Sequence, residues 1–332
     1  MSVDRILLVS LDNLGDMVFA SSLAPPLGER FPSAGLDIWC KQYTADVARL
    51  VPGVRDVIAA DPFWDRAPGH DKGSMLGFLR TLRTVRMRRY DVAVLAAAPW
   101  RTAAAVAATG IPRRIGLRRR KNERYLTDVL PDENTQRPVL TELARLLEPL
   151  GIRSQSLRYR LDPSPLAATR NRLLAALRPP VAALHPFASK ATRCVALPVW
   201  LEVARRLEAE RGVSILWIGS AGELDRLRAL ASDAAWRYVD RDCDGSLADT
   251  AAALSLASLF IGHDSGPLHV AGAFGVPVVG VFAPGEPLRT FPQGVGPSRI
   301  LARPSPEGIT ADDILRELLA LDAARGLERQ HG

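Results

Sequence analysis

Asp264, Ser265, Gly266 and His269 stand close together in the chain, and their order suits the binding of an anion. They follow an apolar run, 257–261, that reads as a buried strand, and they open an Ala-rich segment that reads as a helix. Such a junction gathers unpaired backbone N–H groups and the positive end of the helix dipole. Pro267 fits the first helical turn, where a missing N–H costs nothing. Ser265 or Asp264 can cap the helix, and His269 lies one turn on, near the same mouth. A carboxylate, a hydroxyl, a bare glycine and an imidazole thus converge on a space the size of a phosphate. An ordinary capped helix with a hydrogen-bonded core histidine carries the same residues.

Other strand ends offer further groups. Lys190 and Arg193 are cations in a loop after the run 181–184, suited to a diphosphate, although a merely basic surface loop reads the same. After 213–218 come Gly219, Gly222 and Glu223. Glu223 either caps its helix or accepts hydrogen bonds from a sugar hydroxyl or an adenine amine. Near the N-terminus, the run 5–9 leads into Asn13, Gly15 and Asp16. Gly15 permits a tight turn. Asp16 begins a helix, where the dipole stabilises a carboxylate whether or not it reacts; its other role is that of a base. No G-x-G-x-x-G follows any strand and no Walker A lysine motif occurs, which speaks against NAD and ATP.

These groups need strands and helices to hold them, and the chain supplies them in alternation. Strands are expected at 5–9, 35–40, 56–60, 91–97 and 114–117, then at 181–186, 213–218, 237–239, 259–262 and 276–282. Helices are expected at 16–30, 45–51, 75–89, 101–109 and 136–150, then at 199–210, 223–232, 247–256, 267–274 and 311–324. The strand runs are continuously apolar rather than alternating, as buried parallel strands are. The class is α/β, with two doubly wound, Rossmann-like domains at 1–160 and 181–332. Pro163, Pro165, Pro179 and Pro180 mark 161–180 as an extended linker. Ligands of such sheets bind outside the carboxyl ends of the strands, so both domains are expected to face a central cleft. The polar tail 326–332 is expected to fray.

The chain has 332 residues, 47% of them hydrophobic and 24% charged, values of a soluble globular protein. No apolar stretch is long enough to span a bilayer, and Asp4 and Arg5 ahead of 6–9 are unlike a signal peptide, so a cytoplasmic protein is expected. Cys40, Cys194 and Cys243 form no C-x-x-C pair and read as free thiols rather than a zinc site or disulfide framework. The formal net charge is +7, and arginines cluster at 80–89 and 113–124. A basic face attracts nucleic acid, anionic lipid or a phosphorylated acceptor. Nucleic acid is disfavoured, because zinc-finger spacing and RRM aromatics are missing. Arg80, Arg83, Arg86, Arg88 and Arg89 suit peripheral contact with anionic lipid at the inner face of the cytoplasmic membrane, or simply a solvated helix face.

Three stretches carry a resemblance. One is Leu11-Asp12-Asn13-Leu14-Gly15-Asp16 with the later Arg30-Phe31-Pro32. The second is Gly219-Ser220-Ala221-Gly222-Glu223. The third runs from Asp264 to Ala271 and on to Gly275-Val276-Pro277 and Phe282-Ala283-Pro284. Together they resemble glycosyltransferase family 9, the ADP-heptose:lipopolysaccharide heptosyltransferases and their relatives. The resemblance implies a GT-B fold and an inverting sugar transfer that needs no metal or other cofactor. It implies an ADP-linked nucleotide-sugar donor and a phosphorylated glycolipid or glycan acceptor. Asp16 is then the general base. Backbone N–H groups of Ser265 and Gly266 stabilise the leaving diphosphate. Asp264, His269, Glu223, Gly219, Lys190 and Arg193 hold the donor, while Asn13, Arg113, Arg114, Arg118, Arg119 and Arg120 meet the acceptor. The chain departs from the family at Ser10, often Arg there, and at Phe187, usually Gly. Val195-Ala196-Leu197-Pro198 replaces a Lys-x-Trp-Pro run. Another nucleotide sugar, a small-molecule acceptor, a nucleotide-sugar epimerase and a non-catalytic binding protein stay open as alternatives.

Overall fold

The computed structural model describes residues 3–65, 72–132, 137–153, 156–188, 190–231, 235–242, 246–285 and 287–331. The chain forms two compact units, Met1–Tyr159 and Arg160–Gly332.

The first unit holds strands β1 (Arg5–Ser10), β2 (Gly35–Cys40), β3 (Val54–Ala59), β4 (Val92–Leu95), β5 (Arg113–Leu117) and β6 (Asp128–Leu130). Its helices are α1 (Leu14–Ser21), α2 (Ala24–Arg30), α3 (Ala45–Ala48), α4 (Met75–Met87), α5 (Trp100–Ala108) and α6 (Val139–Arg145). The second unit holds β7 (Val181–His185), β8 (Ser214–Trp217), β9 (Arg237–Tyr238), β10 (Leu259–His263), β11 (Val278–Phe282) and β12 (Ser298–Ala302). Its helices are α7 (Ala167–Leu177), α8 (Leu197–Arg211), α9 (Ala221–Leu230), α10 (Val239–Asp242), α11 (Leu247–Leu256), α12 (Gly266–Ala273), α13 (Pro287–Thr290) and α14 (Ala311–His331).

Both sheets are parallel and share one topology. The first has the order β3-β2-β1-β4-β5-β6, and the second, read from its other edge, β9-β8-β7-β10-β11-β12. Each is the Rossmann order, in which the chain reverses its direction of travel beside the first strand. The switch points lie between β1 and β4 and between β7 and β10. Strands at these points are covered on both faces: β1 is buried from Ile6 to Ser10, and β10 throughout. Gly262 lets β10 lie close against β7, since a Cβ there would stand 2.9 Å from the His185 carbonyl oxygen.

Several elements differ from the sequence reading. The expected helix 16–30 is two helices, because Pro25 and Pro26 cannot donate to the turn before them. The hydroxyls of Ser21 and Ser22 instead bond back to Val18 and Phe19 carbonyls at 2.6 Å. The expected extended stretch 161–180 contains a 3-10 turn, Ser164–Leu166, and all of α7. Its prolines fall outside that helix, while Leu173 and Leu177 bury one side of it. α14 continues to His331, past the expected end at 324; one glycine, Gly326, costs a helix only about 1 kcal/mol. β6 and β12 were not expected at all. Cys40 and Cys194 are free thiols, and Cys243 lies outside the described residues.

One buried ion cluster braces the first sheet. Asp37, fully buried in β2, accepts from Arg55 Nε at 3.0 Å, from Arg88 at 2.9 Å and from the Tyr90 hydroxyl at 2.5 Å. A buried carboxylate is tolerable only when paired in this way. Arg88 is therefore turned inward, unlike its neighbours in the 80–89 cluster.

Candidate active site

In the first unit the chemistry collects at the carboxyl end of β1. Asn13 is the N-cap of α1; its carbonyl takes the Met17 N–H at 3.0 Å, and its side chain makes no cap. Its Oδ1 accepts weakly from the Tyr43 hydroxyl at 3.4 Å. Asp16 sits exposed in the first helical turn. Asp12, one turn of chain earlier, is half-buried. Burial, and then the charge of Asp16, push its carboxyl up to about 6. Lys41, at the end of β2, is buried with its ammonium 2.7 Å from Asp65. Burial also raises the Tyr43 phenol above its ordinary range, so it stays neutral.

Asp12, Lys41 and Tyr43 escaped the sequence reading. Asp12 carried a signal, a second carboxylate four residues before Asp16. Lys41 and Tyr43 carried none, because only the β1–β2 pairing brings them to this end.

The basic cluster at 113–124 is divided by β5. Arg113 and Arg114 lie at the start of that strand, at the sheet edge opposite Asp16. Arg113 is paired with Asp128 at 2.9 Å and donates to the Pro149 carbonyl. Arg114 donates to the carbonyls of Tyr125 and Ile111. Both guanidiniums thus tie down neighbouring loops. Arg118, Arg119 and Arg120 follow the carboxyl end of β5, on the same edge as Asp16. Buried Asn122 holds that turn, donating to the Ala98 and Leu117 carbonyls at 2.8 and 2.9 Å. Arg118 stands 3.8 Å from Glu123, Arg119 pairs with Asp132, and Arg120 is exposed.

In the second unit, the loops after β7, β8 and β10 leave the sheet on one edge. They bring Lys190 and Arg193, Gly219 and Glu223, and the Asp264–His269 stretch to that edge together. Ser265 is the N-cap of α12, but its hydroxyl donates backward to the His263 carbonyl at 3.0 Å instead of capping the helix. The Leu268 N–H turns back to the Ser265 carbonyl at 3.2 Å. Among the described residues no side chain caps this first turn, which leaves its backbone N–H groups to face an anion. His269 is buried with Nε2 3.6 Å from Asp264, whose other oxygen accepts from Thr290 at 3.2 Å. Thr290 was not anticipated; it reaches Asp264 only because β11 lies beside β10.

Two buried histidines support this edge. His263 accepts the Val195 N–H at Nε2, 3.1 Å away, and its Nδ1 lies 3.3 Å from the Val281 carbonyl. Burial lowers it to about 4, so it is neutral and fastens the loop carrying Lys190 and Arg193 to β10. His185, likewise lowered by burial, holds the Ile218 carbonyl at 2.8 Å. Glu223 is engaged as a cap: one oxygen accepts the Ser220 N–H at 2.9 Å and its hydroxyl at 2.7 Å. Phe187 is buried with its ring over Gly219, where a Cβ would stand 2.9 Å from the ring. Among the described residues no three His, Cys, Asp or Glu side chains group as a metal site.

Two parallel sheets of Rossmann order, with acids and helix starts at the carboxyl ends of β1 and β10, define an α/β protein of the GT-B class. The chain belongs to glycosyltransferase family 9 (heptosyltransferase), whose model matches residues 78–305. It is a glycosyltransferase. Its fold is similar to that of a family 9 glycosyl transferase from Veillonella parvula, with 16% identity, 97% of this chain and 98% of that chain covered, and a TM-score of 0.82. ADP-heptose lps heptosyltransferase II of E. coli superposes with a TM-score of 0.80 at 21% identity, covering 97% and 99%. The E. coli heptosyltransferase WaaC with ADP gives 0.77 at 17% identity, covering 96% and 99%. No curated protein matches the chain by sequence.

Proposed function

We propose that this glycosyltransferase inverts configuration, needs no metal, acts in the cytoplasm and takes its sugar from an ADP-linked donor. ADP-heptose is the first donor to try, since the E. coli structures are named for ADP-heptose and for bound ADP. The acceptor is a hydroxyl of a phosphorylated glycolipid or of a lipopolysaccharide-core type of glycan. The observation that carries the reading is the exposed Asp16 carboxylate at the carboxyl end of β1, within the first turn of α1.

Asp16 takes the proton of the acceptor hydroxyl as the oxygen attacks the anomeric carbon. The bond from that carbon to the diphosphate breaks, and the nucleotide leaves with the electron pair from the opposite face. Charge then grows on the diphosphate, where the N–H groups of Ser265 and Gly266 and the dipole of α12 stabilise it. Lys190 and Arg193 add cations in the loop fastened by His263. Asp264 and His269 orient the donor, with Gly219 and the second oxygen of Glu223 beside it. Asn13 and the Arg118–Arg120 turn meet the acceptor. Arg113 and Arg114, bound up at the other edge, take no part.

A second reading keeps the transferase and changes the donor sugar and acceptor. Phe187 favours it, because its ring occupies the space over Gly219. Thermal shift against a panel of nucleotides and nucleotide sugars tests both. Selective stabilisation by ADP and an ADP-sugar supports the first reading. Selective stabilisation by UDP, GDP or dTDP overturns its donor in favour of the second. No response to any nucleotide contradicts both.

A further inference from the structure

α4 leaves an apolar stripe uncovered on its outer side. Its inner side is built from Phe78, Leu82 and Val85, which pack into the core of the first unit. Opposite them, Leu76, Leu79 and Met87 are 68%, 52% and 70% exposed. Arg80, Arg83 and Arg86 are exposed between them. At one residue per 100° these six side chains fill a single face roughly 120° wide. The helix contains no acid. Among the described residues none of these three guanidiniums pairs with a carboxylate, whereas Arg88 is spent on Asp37 and Asp56. At the end of the helix a cleft of about 470 Å³ is lined by Arg86, Arg89, Thr109 and Gly110. The one acid in its wall, Asp91, is occupied by the backbone N–H groups of Asp4 and Arg5.

Apolar and cationic side chains that alternate on one outward face need a partner that satisfies both. A second copy of this face would set arginines against arginines. A bilayer with anionic headgroups takes the apolar groups below its phosphates and the guanidiniums on them. We propose that α4 docks the protein on an anionic lipid surface, with Leu76, Leu79 and Met87 inserted and Arg80, Arg83 and Arg86 on the lipid phosphates. No helix among the described residues is long and apolar enough to cross a membrane, so the contact lies in the plane of the surface. This inference is independent of the donor and of Asp16.

Flotation of the full chain tests it, using phosphatidylcholine vesicles and vesicles rich in phosphatidylglycerol, at low and at physiological salt. Binding is expected with the anionic vesicles alone, weaker in salt. Reversing charge in the triple variant Arg80→Glu, Arg83→Glu, Arg86→Glu should weaken binding on the order of a hundredfold, from about 1 kcal/mol for each arginine lost. Leu76→Ser, Leu79→Ser, Met87→Ser should weaken it roughly tenfold or more. Unchanged circular dichroism and melting show that both variants fold, as expected for outward positions. The proposal is overturned by no flotation with anionic vesicles at low salt, or by flotation that either triple variant retains. A dimer in light scattering that the serine variant abolishes also overturns it.

Discussion

The carboxylates of Asp12 and Asp16 share the carboxyl end of β1, and Asp12, half-buried there, is pushed up to about 6 by burial and by the charge of Asp16. In the unfolded chain an aspartate titrates near the ordinary value of 3.8. Between those two values the folded protein holds the Asp12 proton and the unfolded chain does not. Stability therefore falls as pH rises from about 4 to 6, by up to about 3 kcal/mol at 1.36 kcal/mol per unit.

Asp12→Asn removes that cost. Urea melts are expected to show the variant more stable than the parent at pH 7–8, with the advantage shrinking to nothing near pH 4. An advantage that is equal at both ends would contradict a titrating Asp12.

His263 gives the opposite slope. Its folded value of about 4 lies below the ordinary 6.5, so the unfolded chain takes the proton first. Stability from this group is complete above about 6.5 and is lost as pH falls toward 4, again by about 3 kcal/mol. His263→Gln is expected to be less stable at pH 7, since the bond to the Val195 N–H is disturbed, and to lose less on acidification. Trp200, whose ring meets the His263 ring edge-on at 5.3 Å, offers local fluorescence for following it.

Phe187 and Gly219 are sized to one another. Gly219→Ala places a Cβ against the ring and is expected to cost about 1–3 kcal/mol. Phe187→Ala is expected to cost about 3–5 kcal/mol through the cavity it leaves. The double variant should fall short of the sum by about 1 kcal/mol or more, because the methyl added at position 219 no longer meets a ring. Strict additivity in denaturant melts would remove this contact from the account.

The central strands were legible because β1, β7, β10 and β11 are continuous apolar runs, the mark of strands covered on both faces. β6 and β12 were not, since both are edge strands with half-buried polar residues such as Asp128 and Ser298, and β6 has only three residues. The gathering of the second unit's candidate residues at one sheet edge was legible, because glycines, acids and cations follow the strand runs. What those side chains do locally was not. Ser265 turns back to His263, although capping was one of the two roles already open to Glu223; in the first unit, Arg113 and Arg114 serve the opposite edge through partners distant in sequence or hidden in local geometry. Thr290 and Lys41 depended on which strands pair. The separation of Arg88 from Arg80, Arg83 and Arg86 rested on Asp37, whose burial among β-sheet neighbours the arginine run does not announce.

Replacing Asp16 isolates its role as the general base. Sugar transfer from ADP-heptose to glycolipid or glycan hydroxyls, read by mass spectrometry, is compared between the parent and Asp16→Asn, with ADP affinity measured by calorimetry on both. Transfer is expected to fall by about 10²–10⁴-fold in the variant, with ADP affinity unchanged, as removal of a general base requires. Full turnover by Asp16→Asn would contradict that role.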